Sequence, residues 1–200
     1  MLGLIAAMTL SGALLLILEP GPVSPPSTLF NLGAVAPSND LERTLFDTTP
    51  APQSGRWSAV VICESGSIGG TAQTIAAEHQ AQGLGGLGYH FVIEDTPDTG
   101  EQVRAGFRWR GQLPGVVMTG PYRDWYNQHA VSICLVGNSN VRSLTEGQLR
   151  NLTNLVHWLQ RRFDIPPNHV SLQPDIDPTL RPGRFFPLSR FRQSLLRPED

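Results

Sequence analysis

Two short stretches are apolar almost without interruption: Trp57 to Cys63, WSAVVIC, and Ala130 to Val136, AVSICLV. A strand with one wet face alternates polar and apolar residues, so continuous runs rich in β-branched side chains predict strands covered on both faces. The covering layers are legible as helices. Thr71 predicts an N-cap, with Ile75, Ala76 and His79 at helical spacing through about Gln82 and Gly83 as the stop. Ser143 and Glu146 form a candidate capping box, after which Leu149, Leu152, Leu155, Val156, Leu159 and Phe163 recur at helical period until Pro166. Tyr89 to Glu94 reads as another strand followed by a turn at Asp95 to Gly100, Val170 to Leu172 as a short last strand, and Leu188 to Leu196 as a terminal helix. Strands interleaved with helices, without an internal repeat, imply an α/β fold with a mixed central β-sheet flanked by helices.

The composition divides the 200 residues into three parts. Residues 1–18 contain no charged side chain and are rich in Leu, Ala, Ile and Met, which predicts a signal anchor or signal peptide. No small-x-small site follows Leu18, where Glu19-Pro20-Gly21-Pro22 begins, and this favours an uncleaved membrane anchor. Residues 19–55 are rich in Pro, Ser, Thr and Gly and read as a tether. The expected domain spans residues 56–197, long enough to bury its own core. A net charge of −2 argues against a general nucleic-acid binder, although Arg181, Arg184, Arg190, Arg192 and Arg197 make the last segment locally basic. That cluster is either a solvated helix face or an anion-facing patch. Cys63 and Cys134 both fall in expected strands, as two buried thiols or as a pair oxidised in an exported domain.

Three segments carry a further constraint: GLGYHFVI at Gly86 to Ile93, AVSICLVGN at Ala130 to Asn138, and LQPDIDPTLRPGRFFP at Leu172 to Pro187. Together they resemble the zinc-dependent N-acetylmuramoyl-L-alanine amidase family, which includes bacterial and phage peptidoglycan amidases and the peptidoglycan recognition proteins. In that family the first strand ends in a His ligand, and a closing loop of the form G-H-x-D-x-x-P-T-x-C-P-G-x-x-F-P completes the metal site. Asp175, Pro178, Thr179, Pro182, Gly183, Phe186 and Pro187 fit this frame, whereas Cys63, Gln173 and Arg181 stand at the three ligand positions. The resemblance implies that Tyr89 and Thr179 occupy the catalytic positions. It also implies that Glu64, His79, His90, Tyr122, Asn127 and Arg181 face the substrate.

A catalytic zinc needs three donor side chains and an open position for water. Glutamine is a poor donor, and a guanidinium is a permanent cation that cannot ligate at all. No bound cofactor is therefore expected, zinc included. The implied function is a peptidoglycan or muramyl-peptide binding domain without zinc hydrolysis, exported to the cell envelope and held at the membrane through residues 1–18. The rivals are an active amidase with a displaced metal site and an envelope protein-interaction domain with a vestigial groove. Cys63 as a nucleophile would need a base such as His90 within reach; a packed small hydrophobe is the alternative. The frame further implies that Cys63, Tyr89, Gln173, Thr179 and Arg181 converge on one pocket floor. It leaves Asp175, Glu64 or a ligand carboxylate as the partner of Arg181.

Overall fold

The computed structural model describes residues 46–96, 100–177, 180 and 183–197; the expected membrane segment and most of the tether lie outside these residues. Five strands form one sheet: β1 (Ala59–Glu64), β2 (Phe91–Ile93), β3 (Val103–Ala105), β4 (Ala130–Leu135) and β5 (Val170–Leu172), in the order β3-β2-β4-β1-β5. β2, β4, β1 and β5 are parallel, and β3 is an antiparallel edge on β2. Among the described residues six α-helices follow in chain order: α1 (Ala72–Ala81), α2 (Phe107–Arg110), α3 (Arg123–His129), α4 (Glu146–Phe163), α5 (Gln173–Ile176) and α6 (Leu188–Ser194). The α/β architecture expected from the apolar runs is thus present.

Alternate residues of each central strand feed two separate cores, which is why their sequences carry no polar phase. Val60, Ile62, Val131, Ile133 and Leu135 pack with Leu149, Leu152, Leu155, Val156 and Leu159 of α4 on one face. Val61, Cys63, Cys134 and Val92 pack with Ile75 of α1, Met118 and Ile176 on the other. Trp57 and Trp109, both fully buried, close the first core, and the Trp57 indole donates to Gln112 Oε1 at 2.7 Å.

Several boundaries differ from the sequence reading. Thr145, not Ser143, caps α4: its hydroxyl accepts from Gln148 N, and the Gln148 side chain accepts from Thr145 N in return. Gln148 also donates to Val136 O at 2.8 Å, so the same side chain joins the helix start to the sheet. β2 begins at Phe91, with the backbone bent at Tyr89 and His90, and α6 ends at Ser194. The Thr71 cap and the Gly83 stop of α1 hold; Gly83 takes φ +79°, which an L side chain rarely adopts. β3, α2 and α3 went unseen in the sequence. β3 is three residues long, α2 a single turn, and α3 buries no residue, so none carries a periodic apolar signal.

Two substitutions test this account of α4 by urea unfolding. Leu152→Ala, at a fully buried site, is expected to cost about 2–5 kcal/mol. Thr145→Ala is expected to cost about 1 kcal/mol while Ser143→Ala stays near zero. The reverse order would return the cap to Ser143.

Candidate functional site at the strand ends

β1, β4 and β5 all deliver their carboxyl ends to the same edge of the sheet, the place where open α/β sheets present crevices. A cavity of about 360 Å³ opens there, walled by Ile62 to Glu64 and Gly66 after β1, Asn138 and Asn140 after β4, Leu172 to Pro174 after β5, and Leu180, Gly183 and Phe186 of the closing loop. The loop is held down by the backbone: Phe185 N donates to Ser139 O at 2.9 Å, and a Cβ at Gly183 would overlap the Ser139 side chain. Arg184 donates to Asn140 O at 3.1 Å. A second hollow, of about 430 Å³, lies between the end of α4 and Leu196, away from the strand ends; it is lined by Arg197 of the basic cluster but by none of the expected catalytic, ligand-facing or metal-position residues.

The structure brings Cys63 and Gln173 to one cavity, as the frame requires, but neither is poised as a metal donor. Cys63 is 2% exposed and turned into the α1-side core; burial first, then Cys134 and Glu64, pushes its thiol pKa well up, so the thiol stays neutral. Gln173 donates its amide to Val117 O at 3.3 Å. Glu64 accepts from Ser139 N at 2.9 Å and so joins the ends of β1 and β4. Thr179 and Arg181 lie outside the described residues. Of the partners considered for Arg181, Asp175 accepts from Leu172 N at 2.9 Å and from Arg192. Among the described residues no three His, Cys, Asp or Glu side chains are grouped to hold a metal ion. A buried neutral thiol and an amide already engaged with Val117 O do not make donors that fit zinc.

The other expected site residues serve the scaffold around the cavity. Tyr89 does not reach the cavity wall: it is 8% exposed beside Cys134 and Cys63, and burial raises its phenol pKa. His79 accepts from Gly88 N at 2.9 Å, and burial lowers its pKa. Asn127 accepts from Met118 N at 3.1 Å. Tyr122 stands at the start of α3, 67% exposed. His90 is fully buried and cannot act as base to Cys63 or touch a ligand. Its Nδ1 accepts from Ser132 N at 3.0 Å and its Nε2 donates to Leu113 O at 2.9 Å, an arrangement only the neutral ring satisfies. The sequence reading missed Asn138 and Asn140, which shape the mouth; Asn138 donates to Gly66 O and accepts from Asn140 N. Their signal was the Gly137-Asn138 step straight after an apolar strand.

Residues 53–183 match the family described as N-acetylmuramoyl-L-alanine amidase. The chain belongs to that family. Among solved structures, it is similar to the N-acetylmuramoyl-L-alanine amidase LysC from Clostridium intestinale, with 23% identity, 72% of this chain and 89% of that one covered, and a TM-score of 0.51. It is likewise similar to bumblebee PGRP-SA, at 22% identity, 67% and 80% coverage and a TM-score of 0.52. A variant of Drosophila PGRP-LB in complex with tracheal cytotoxin gives 20% identity, 68% and 80% coverage and a TM-score of 0.53. At these identities the likeness to solved structures is one of fold. No curated protein matches the chain in sequence.

Burial of His90 couples the expected stability to pH. Burial holds its pKa at about 4, against about 6.5 for a free imidazole. As pH falls the unfolded chain takes up the proton first, so stability is complete above about pH 6.5 and drains between there and about pH 4. The unfolding free energy read from urea titrations is expected to drop across that window by an amount on the order of 3 kcal/mol. His90→Gln is expected to be less stable at neutral pH yet to lose most of the slope; an unchanged slope would assign it to other groups.

Proposed function

We propose that this chain is an amidase-fold domain that binds peptidoglycan or muramyl peptide and does not hydrolyse it through zinc. The observation that carries the proposal is the pairing of a cavity at the strand ends with a donor set unsuited to the metal. Cys63 and Gln173, which the resemblance puts at the first two ligand positions, both line the cavity, yet Cys63 is buried and neutral and Gln173 is tied to Val117 O. What remains around the cavity is hydrogen-bonding chemistry: Asn138, Asn140, Glu64 and Gln173 beside apolar Leu172, Leu180 and Phe186. Such a mixture suits a ligand with amides, hydroxyls and short aliphatic side chains. The proposal includes export and a membrane anchor in residues 1–18, with residues 19–55 as the tether.

Family membership favours a second reading, a working amidase with a displaced metal, and metal analysis separates the two. The purified full chain is expected to hold no stoichiometric zinc and to release no stem peptide from peptidoglycan. A zinc-to-protein ratio near one with chelator-sensitive release would overturn the proposal. The triple change Cys63→His, Gln173→His and Arg181→Cys is expected to recover zinc affinity, and no single change to do so.

Binding itself has its own readout. The full chain is expected to co-sediment with insoluble peptidoglycan, and Asn140→Trp, which fills the mouth from an exposed position, to weaken this by roughly tenfold with little change in Tm. Retention equal to wild type would move the binding surface elsewhere. No retention of the wild type, with a protein partner captured instead, would favour the interaction domain.

A further inference from the structure

The parallel register of β1 and β4 sets Cys63 directly opposite Cys134. Both belong to the core on the α1 side, so both side chains leave the sheet in one direction. They are the only cysteines in the chain, both thiols are free in this structure, and they are 2% and 0% exposed. Neighbouring strands lie about 4.7–4.9 Å apart, inside the span of about 4.4–6.8 Å between Cα atoms that a disulfide bridges. The register therefore puts the two residues within the reach of a disulfide. Placing two cysteines at unrelated points of a sheet would give no such register.

We propose that Cys63 and Cys134 form a disulfide across the two central strands, immediately behind the candidate site. The oxidant is a disulfide, either a small molecule such as oxidised glutathione or a protein of the oxidising compartment. One cysteine attacks it as thiolate, forming a mixed disulfide and releasing one thiol. The second cysteine then attacks the protein-side sulfur, closing the Cys63–Cys134 bond and releasing the other thiol. The two protons given up by the cysteines end on the two released thiolates, so the chain loses two hydrogens and the oxidant becomes two thiols. The product is neutral and apolar and suits a pocket of Val61, Val92 and Ile75. Because both sulfurs are shut from solvent, exchange takes place before β1 and β4 close, and the finished bond is sheltered from reductants. With its sulfur in the bond, Cys63 can serve neither as ligand nor as nucleophile.

The test refolds the reduced, unfolded full chain in a glutathione buffer containing both redox forms, quenches in acid, alkylates in denaturant and reads the intact mass. The expected product is monomeric, lighter by two hydrogens and free of alkylation, with a higher Tm than the chain refolded in reductant. Chain folded first in reductant is expected to oxidise at least about tenfold more slowly in the same buffer, since the thiolates must be exposed to react. Two alkylated thiols, stable glutathione adducts, or a bridged chain that melts lower than the reduced one would each overturn the proposal. Should refolding fail, the same thiol count on chain exported by a bacterial host and alkylated at lysis decides it: no free thiol supports the bond, and two overturn it.

Discussion

Six residues of β1 pair in parallel with six of β4, from Ala59 against Ala130 to Glu64 against Leu135, and both strands are covered on both faces. A slip by one residue would send every apolar side chain of one strand to the opposite core, so the register is fixed by packing as much as by the ladder. The rest of the molecule is arranged around that fixed pair. With β5 added beside β1, three chain ends arrive at one edge, and the loops after them have nowhere to run except around a shared hollow. The side-chain link from Glu64 to Ser139 N then ties two of those loops together at the point where the strands stop.

Buried polar groups hold the remaining elements to this centre. Glu94, fully buried at the end of β2, accepts from Ala72 N at the start of α1 and from Arg104 of β3. One carboxylate thus joins a helix N-terminus, where negative charge is favoured, to an otherwise weak edge strand. His90 does similar work between β4 and the Leu113 loop, at the cost of acid stability. On the Tyr89 side, burial suppresses ionisation of the phenol and of both thiols, which makes the region behind the cavity a packed floor. Cys63 packs into that floor as a small apolar side chain.

The sequence by itself determined the layers. Continuous apolar runs fixed the buried strands, the repeat of Leu149, Leu152, Leu155 and Leu159 fixed the long helix, and the Leu172 to Pro187 frame fixed the family. These are signals carried by residues close together in the chain, where periodicity and motif spacing are sufficient. Only the tertiary structure decided which residues meet. It brought Cys63 to Gln173 and to Cys134, drew Glu64 to Ser139, turned Tyr89 and His90 into the core instead of the cavity, and chose Thr145 over Ser143 as the cap. Each of those outcomes depends on strand register or on the direction in which a side chain leaves its backbone. Register is set by the summed packing of two cores, a property of residues far apart in sequence that no local pattern contains.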